Sequence, residues 1–182
     1  MKFQTMVNPA LFIAAVVFSS NTLAGDPSSE CMERLKSRDE LQILNGKVAL
    51  GNTDDQTLEI LSNDDLPTKK EKEAISKWVK ERLICKQLGA EWRSKNYPPT
   101  LIPIVDGYYS DLTSLTADLY ARKISYGDFA KARAKIEQDS KKNMADEAQL
   151  IEQQQHAEKL QPPESDIHSL DAATIRQKRL VQ

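Results

Sequence analysis

The 182-residue sequence has few of the residues that characterise several common classes of protein. Two cysteines are too few for a disulfide-dense scaffold. Six glycines and eight prolines do not suggest a collagenous or glycine-rich chain. Lysine and arginine total 25 against 27 acidic residues, so the chain lacks the basic excess that general nucleic-acid binders usually carry. We therefore expect no nucleic acid among its partners.

The sequence also lacks the motifs of the main nucleotide-binding, hydrolytic and metal-dependent enzymes. It contains no P-loop, no Gly-x-Gly-x-x-Gly, no Gly-x-Ser-x-Gly and no His-Glu-x-x-His. Its two histidines, His156 and His168, are twelve residues apart, whereas two metal ligands on one helix face need a spacing of 3 or 4. Asp111 and Asp118 share a helix face and could act in acid–base chemistry, although exposed charge is the commoner explanation. We predict no catalytic residue, no cofactor and no metal.

What is present begins with the pattern of a secretory signal peptide. Lys2 supplies a positive charge, residues 10–18 form a nine-residue apolar run, and the residues up to Ala24 are mostly small or polar. Nine apolar residues are too few to cross about 30 Å of hydrocarbon, which argues against a membrane anchor. We predict a signal peptide over residues 1–24, cleaved between Ala24 and Gly25. The mature protein would be periplasmic or secreted, with no integral membrane span.

Cys31 and Cys85 are the whole cysteine complement. An even number of cysteines in an exported protein predicts a disulfide, which here would tether the N-terminal segment to a later helix. Two buried free thiols are the alternative. A redox or metal role is less expected, because the chain has no Cys-x-x-Cys pair.

The spacing of apolar residues predicts helices, and no stretch of useful length alternates as a strand would. Residues 31–44 place leucines on one helical stripe, and residues 53–61 predict a short helix after an acidic start. Thr68 and Glu71 have the spacing of a capping box, which opens a longer helix. That helix ends at Gly89 or continues for about three more residues.

The best-patterned part of the chain predicts an antiparallel helical hairpin. Its first helix repeats apolar residues at spacings of 3 and 4, as in helix-on-helix packing, at Val105, Tyr108, Leu112, Leu115 and Leu119. Ser125, with Asp128 three residues on, can cap the second helix. A short connection around Lys123 implies that the two helices are antiparallel. We predict an all-α fold, a helical hairpin or bundle with a long polar C-terminal helix.

The distribution of aromatic residues separates a core from accessory parts. After Ala24, all eight lie between positions 78 and 129, and aromatic side chains bury the most area per residue. Beyond Ile136 the chain is rich in Gln, Glu, Lys and Ala, which favours a helix that covers little core. The predicted organisation is a signal peptide at 1–24, a helical core with a disulfide-tethered N-terminal segment at 25–136, a polar helical extension at 137–160 and a polar tail at 161–182.

Two surfaces are candidates for binding. Trp92, Tyr108 and Tyr109 could line a ligand cleft, with ordinary core packing as the alternative. The polar helix keeps a sparse apolar stripe that could pair with a partner helix or with a second copy of the chain. A solvated or partly disordered extension is the alternative for that helix. The stripe consists of Met144, Ala148 and Ile151.

Together these features predict an exported, non-enzymatic helical protein that acts in binding or assembly, in the periplasm or outside the cell. A protein partner or self-association is therefore expected. The alternative is a chaperone-like or inhibitor protein that holds another envelope protein. An enzyme with no recognisable motif is the third class.

Overall fold

The computed structural model describes residues 25–160, so the predicted signal peptide and its cleavage point, the polar tail and His168 lie outside the described residues. Within that range the chain forms six α-helices and no strand, which confirms the predicted all-α fold. The helices are α1 (Pro27–Arg34), α2 (Leu58–Leu61), α3 (Lys69–Leu88), α4 (Ala90–Asn96), α5 (Ile102–Tyr120) and α6 (Tyr126–Leu160). Short 3-10 turns lie at Leu35–Ser37, Asp39–Leu44, Thr53–Asp55 and Pro99–Leu101.

The N-terminal segment is more broken than its leucine stripe predicts. Asp26 caps α1 by accepting a hydrogen bond from the Ser28 amide at 2.8 Å, and Pro27 occupies the first turn, where its missing N–H costs nothing. The single predicted helix over 31–44 is instead the end of α1 followed by two 3-10 turns, because Arg38 adopts an extended conformation between them. The leucines of this segment are nevertheless buried, so their burial does not depend on one continuous helix.

Helix α3 begins with the predicted capping box. The Thr68 side chain accepts from the Glu71 amide, and the Glu71 carboxylate accepts from the Thr68 amide at 2.7 Å. The Glu71 carboxylate also pairs with Lys47 Nζ at 2.8 Å. Burial opposes ionisation of Glu71, but the hydrogen bonds from Lys47 and Thr68 outweigh it, so the pKa of this carboxyl is lowered. Helix α3 ends at Leu88, and α4 starts directly after Gly89.

Helices α5 and α6 form the predicted antiparallel hairpin, since the start of α5 lies beside residues 136–143 of α6. The connection ends α5 in a Schellman motif. The Lys123 amide donates to Asp118 O at 3.0 Å and the Arg122 amide donates to Leu119 O at 2.9 Å. This motif places Arg122 in the left-handed region, at φ 62°. Ser125 then caps α6.

The core forms around Trp78 of α3, whose exposed fraction is 0%. The Phe129 ring of α6 meets the indole edge-on, with 6.1 Å between ring centroids. Leu112 and Leu119 of α5 join the same cluster, as do leucines of the N-terminal segment. Burying an aliphatic or aromatic side chain of this size contributes about 1.5–3 kcal/mol. The aromatic-rich stretch therefore supplies the centre of the core, and the N-terminal segment packs onto it.

The predicted disulfide is present between Cys31 of α1 and Cys85 of α3, whose Cα atoms are 5.4 Å apart. A second link holds the same end of the chain, because Arg93 Nη1 of α4 pairs with Asp26 Oδ2 at 2.8 Å. Burial opposes ionisation of Asp26, but hydrogen bonds from Ser28 and Arg93 outweigh it and lower the pKa of its carboxyl. One covalent bond and one ion pair therefore fasten α1 to the α3–α4 region.

Helix α6 is continuous across Ile136, where the sequence changes character, and runs for 35 residues, or about 52 Å. Its first part is buried against α2 and α5, whereas residues 152–160 are all exposed. The exposed face carries i,i+4 ion pairs such as Lys142 with Asp146, at 2.5 Å, which support a helix only weakly. We name residues 145–160 the α6 extension.

Candidate binding surfaces

A buried segment without regular structure, residues 48–51, lies under α3 and α6. Buried carbonyl groups need hydrogen-bond donors, and side chains of the two helices supply them. Trp78 Nε1 donates to Leu50 O at 2.9 Å. Arg82 Nη1 and Arg133 Nη2 both donate to Gly51 O, at 3.1 and 2.6 Å, and Arg133 also donates to Ala49 O. The two arginines therefore replace the backbone partners that a helix or sheet would provide.

The two guanidinium groups form an unusual concentration of buried positive charge. Arg82 is 5% exposed and Arg133 is 1% exposed. Their central carbons lie 5.2 and 5.4 Å from the centroid of the Trp78 ring, in cation–π contact. Neither forms a salt bridge with any carboxylate of residues 25–160. Burial, and then the neighbouring Arg82 charge, lower the pKa of Arg133 to about 10, so Arg133 stays charged at neutral pH.

Arg82 lies at the wall of a cleft of about 320 Å³ between α1, α3, α5 and α6, which we name the Arg82 cleft. Tyr108 and Tyr109 of α5 line it, with 5.2 Å between their ring centroids. The Tyr108 hydroxyl lies 3.4 Å from Arg82 Nη2, and Arg82 Nε is buried without a hydrogen-bond partner. Further apolar or aromatic lining comes from Met32, Tyr97, Val105 and Met144.

Two ion pairs line the Arg82 cleft. One is Arg93 with Asp26, and the other is Lys141 with Glu137, at 2.8 Å. Burial opposes ionisation of Glu137, but hydrogen bonds from Lys141 and Thr53 outweigh it and lower the pKa of this carboxyl. Both acids are therefore ionised and paired at neutral pH, and neither forms a salt bridge with Arg82.

A second surface is the groove between α3 and α5, with a volume of about 280 Å³, which we name the α3–α5 groove. Its apolar lining comes from both helices: Ile75, Val79, Ala117 and Tyr120. Lysine side chains form its rim, because Lys80 lines the groove and Lys72 Nζ lies 4.5 Å from the Tyr120 ring centroid. Exposed apolar residues continue along α3 beyond the groove, at Leu83, Ile84 and Leu88. Contiguous exposed apolar surface of this kind marks interaction sites.

The structure brings three of the six residues proposed as a ligand or partner surface into one place. Tyr108, Tyr109 and Met144 all line the Arg82 cleft. Trp92 is not part of the cleft lining, but its ring meets that of Tyr97, which is, with 5.6 Å between centroids. The remaining two lie farther along α6, where Ala148 is exposed and Ile151 is partly exposed.

The aspartate pair considered for acid–base chemistry lies at the surface of α5. Asp118 pairs with Lys123 at 2.9 Å, and Asp111 borders a separate depression between α5 and α6. His156 is exposed in the α6 extension. Within residues 25–160, no group of three or more His, Cys, Asp or Glu side chains could hold a metal ion.

The buried arginines are the residues that sequence reasoning undervalued. Arg82 follows Trp78 by four residues and precedes Cys85 by three, so it lies on the buried stripe of α3. Arg133 likewise follows Phe129 by four on α6. A charged residue at a stripe position is a usable signal of a buried functional or structural group.

Comparison with protein-family models, with curated proteins and with solved structures finds no match to this chain. Among the helices that the structure describes, none is both long and apolar enough to span a membrane. The function is therefore inferred from the arrangement of side chains.

Proposed function

We propose that the chain is an exported, non-enzymatic protein that acts by binding and assembles with a second copy of itself. The observation that carries this proposal is the α3–α5 groove, an apolar surface with a lysine rim, in a chain that also presents an acidic helix. A disulfide is compatible with an exported protein. The signal-peptide pattern supports a periplasmic or extracellular location in particular.

The α6 extension has the charge and the apolar surface expected of a helix that binds in the α3–α5 groove. It is acidic, with Asp146, Glu147, Glu152 and Glu158 against Lys159 alone. Leu150, 51% exposed, and the neighbouring Ile151 provide an apolar strip. Residues 152–160 and Leu150 are exposed, so a partner surface would remove apolar area of the extension from water and would stabilise it.

Charge complementarity favours a second copy as the occupant of the groove. Lys72 and Lys80 form no salt bridge with the acids of residues 25–160, so both are free to face Glu147 and Glu152 of another chain. An amphipathic helix in an apolar groove is a common mode of recognition, and its leucine or isoleucine anchors would replace the water over Val79 and Ala117. The same chain therefore contains both halves of the interface.

The experiment measures the molar mass of the oxidised mature protein, residues 25–182, by light scattering over a range of concentrations. We expect a concentration-dependent dimer that weakens as salt rises. Ala117→Glu in the groove and Leu150→Glu on the extension should each weaken the dimer at least tenfold. The matched controls are Ser114→Glu on α5 and Gln149→Glu on α6, which add the same charge outside the proposed contacts and should change it little.

A monomer at every concentration would overturn self-assembly, as would a dimer equally insensitive to all four substitutions. A synthetic peptide of residues 143–160 provides a second measurement on the same groove. If the protein is monomeric and yet binds this peptide, the second copy is the wrong occupant. The groove would then favour the alternative role, holding the acidic helix of a different envelope protein.

A further inference from the structure

We propose that the Arg82 cleft binds a monocarboxylate with an apolar body, held by Arg82 and Tyr108. This site is separate from the α3–α5 groove and does not depend on self-assembly. The inference rests on three independent features of the cleft: its unmatched buried charge, its incompletely used donors, and its apolar lining.

Arg82 and Arg133 are two cations with little access to water. Arg82 and Arg133 share one carbonyl, Gly51 O, and contact the same indole. Removing a cation from water is costly unless an opposite charge lies nearby. Glu137 is close enough to attract Arg133, but it is paired with Lys141, and no carboxylate of the described chain forms a salt bridge with Arg82, which therefore lacks such a partner. An anion in the cleft would supply it.

The hydrogen-bond donors of Arg82 are only partly used. Arg82 Nε has no hydrogen-bond partner, and the Tyr108 hydroxyl lies at the long limit of 3.4 Å from Arg82 Nη2. A guanidinium edge binds the two oxygens of a carboxylate well, because its planar donors match the carboxylate geometry. A hydroxyl beside it adds one more donor to the same oxygen atoms.

The size of the cleft and its remaining lining indicate the size and polarity of the rest of the ligand. A volume of about 320 Å³ holds about ten water-sized groups, and tyrosine, valine and methionine side chains form much of its wall. Asp26 and Glu137 are also part of the lining, so a ligand with several negative charges would be repelled. These features favour a ligand with a single carboxylate attached to a small apolar or aromatic group.

Two sources share this chemistry: a free organic acid and the C-terminal carboxylate of a peptide. The probes are therefore 3-phenylpropionate and the peptide Ala-Ala-Phe, each paired with its amide, which has the same shape without the charge. Binding to the oxidised mature protein is followed by nuclear magnetic resonance titration. We expect each favoured acid to bind at least tenfold more tightly than its amide, with the largest shifts at Tyr108 and Tyr109. The better acid identifies the source.

Variants separate binding from folding. Tyr108→Phe should weaken binding of the favoured acid about threefold or more, whereas the matched Tyr120→Phe, outside the cleft, should not. Arg82→Lys keeps the charge but removes the planar donors, and should weaken binding at least tenfold if urea unfolding stays cooperative. Equal affinity for acid and amide, no saturable binding up to 10 mM, or shifts confined to another surface would overturn the proposal. If Arg82→Lys does not fold, the binding measurement on Tyr108→Phe still tests the proposal.

Discussion

Breaking the Cys31–Cys85 disulfide tests how much of the stability of this small helical core depends on one covalent bond. The chain-entropy model relates the stabilisation to the number of residues in the closed loop, and the cysteines are 54 residues apart. A loop of that length corresponds to about 4 kcal/mol at 25 °C. Domains of this size have a total stability of about 5–15 kcal/mol, so the bond would account for a large share of it.

The assay compares urea unfolding of three forms: the oxidised protein, the protein refolded in reductant, and the double variant Cys31→Ala with Cys85→Ala. We expect the reduced protein to lose about 4 kcal/mol of unfolding free energy. The double variant should lose about 1 kcal/mol more, because Cys85 is 1% exposed and the smaller side chain leaves unfilled volume. Unfolding without the crosslink exposes more surface, so the free energies and not the midpoints are to be compared.

Hydrogen exchange locates the effect. If α1 alone depends on the bond, its amides should exchange faster in the reduced protein while those of α5 and α6 keep their protection. If the bond acts through the unfolded chain, protection should fall in every helix by a similar free energy. A loss below about 1 kcal/mol in both reduced and alanine forms would refute the reasoning, because the Arg93–Asp26 pair and packing would then suffice to hold α1.

Three further substitutions test local features of the fold. Arg122→Gly should raise the unfolding free energy by about 1 kcal/mol, because a left-handed φ of 62° is strained for arginine and free for glycine. Gly127→Ala should lower it by about 2 kcal/mol or more, because the new Cβ would lie 2.8 Å from the Leu61 carbonyl oxygen. Glu71→Gln should flatten the acid side of the stability profile. The pKa of Glu71 is lowered in the fold, so its stabilisation is present above the unfolded pKa of about 4.3 and is lost as the pH falls through the folded value.

Urea unfolding checks these predictions, at one fixed pH for Arg122→Gly and Gly127→Ala and at a series of pH values for Glu71→Gln. Gly107→Ala is the control for Gly127→Ala: its Cβ would meet no atom within 4 Å, so alanine in this helix should stabilise by about 0.5–1 kcal/mol. A loss of stability on Arg122→Gly would contradict the strain argument. A Glu71→Gln protein that loses stability below pH 5 as steeply as the parent would show that other carboxylates cause the acid sensitivity.

The hairpin was predictable because its signals are local. The spacing of Leu112 and Leu119 marks one face of a helix, and the Ser125 cap follows within a few residues. The capping box of Thr68 and Glu71 is equally short-range, and the structure contains both of its hydrogen bonds. Such features depend on residues that are close together in the sequence, so they form independently of how the rest of the chain packs.

The backbone conformation of the N-terminal segment could not be predicted from the spacing of its residues alone. Its leucines have helical spacing, yet the extended conformation at Arg38 divides them between two 3-10 turns, the second of which packs on α3. The reason is that burial against α3 satisfies the same apolar residues in a less regular geometry. Tertiary packing thus determined the backbone conformation of this segment, where the intrinsic preference for a helix was weak.

The sequence by itself determined the class of the fold and the cysteine pair, because these follow from composition, spacing and capping. Only the tertiary structure placed Arg82 and Arg133 on the carbonyls of residues 48–51, and only it brought Tyr108 beside Arg82 at the edge of a cleft. The stripe positions of the two arginines can signal that they are buried, but hydrogen bonds between residues more than 25 positions apart arise from how the helices pack. The sequence therefore does not show which carbonyl or hydroxyl group each arginine meets.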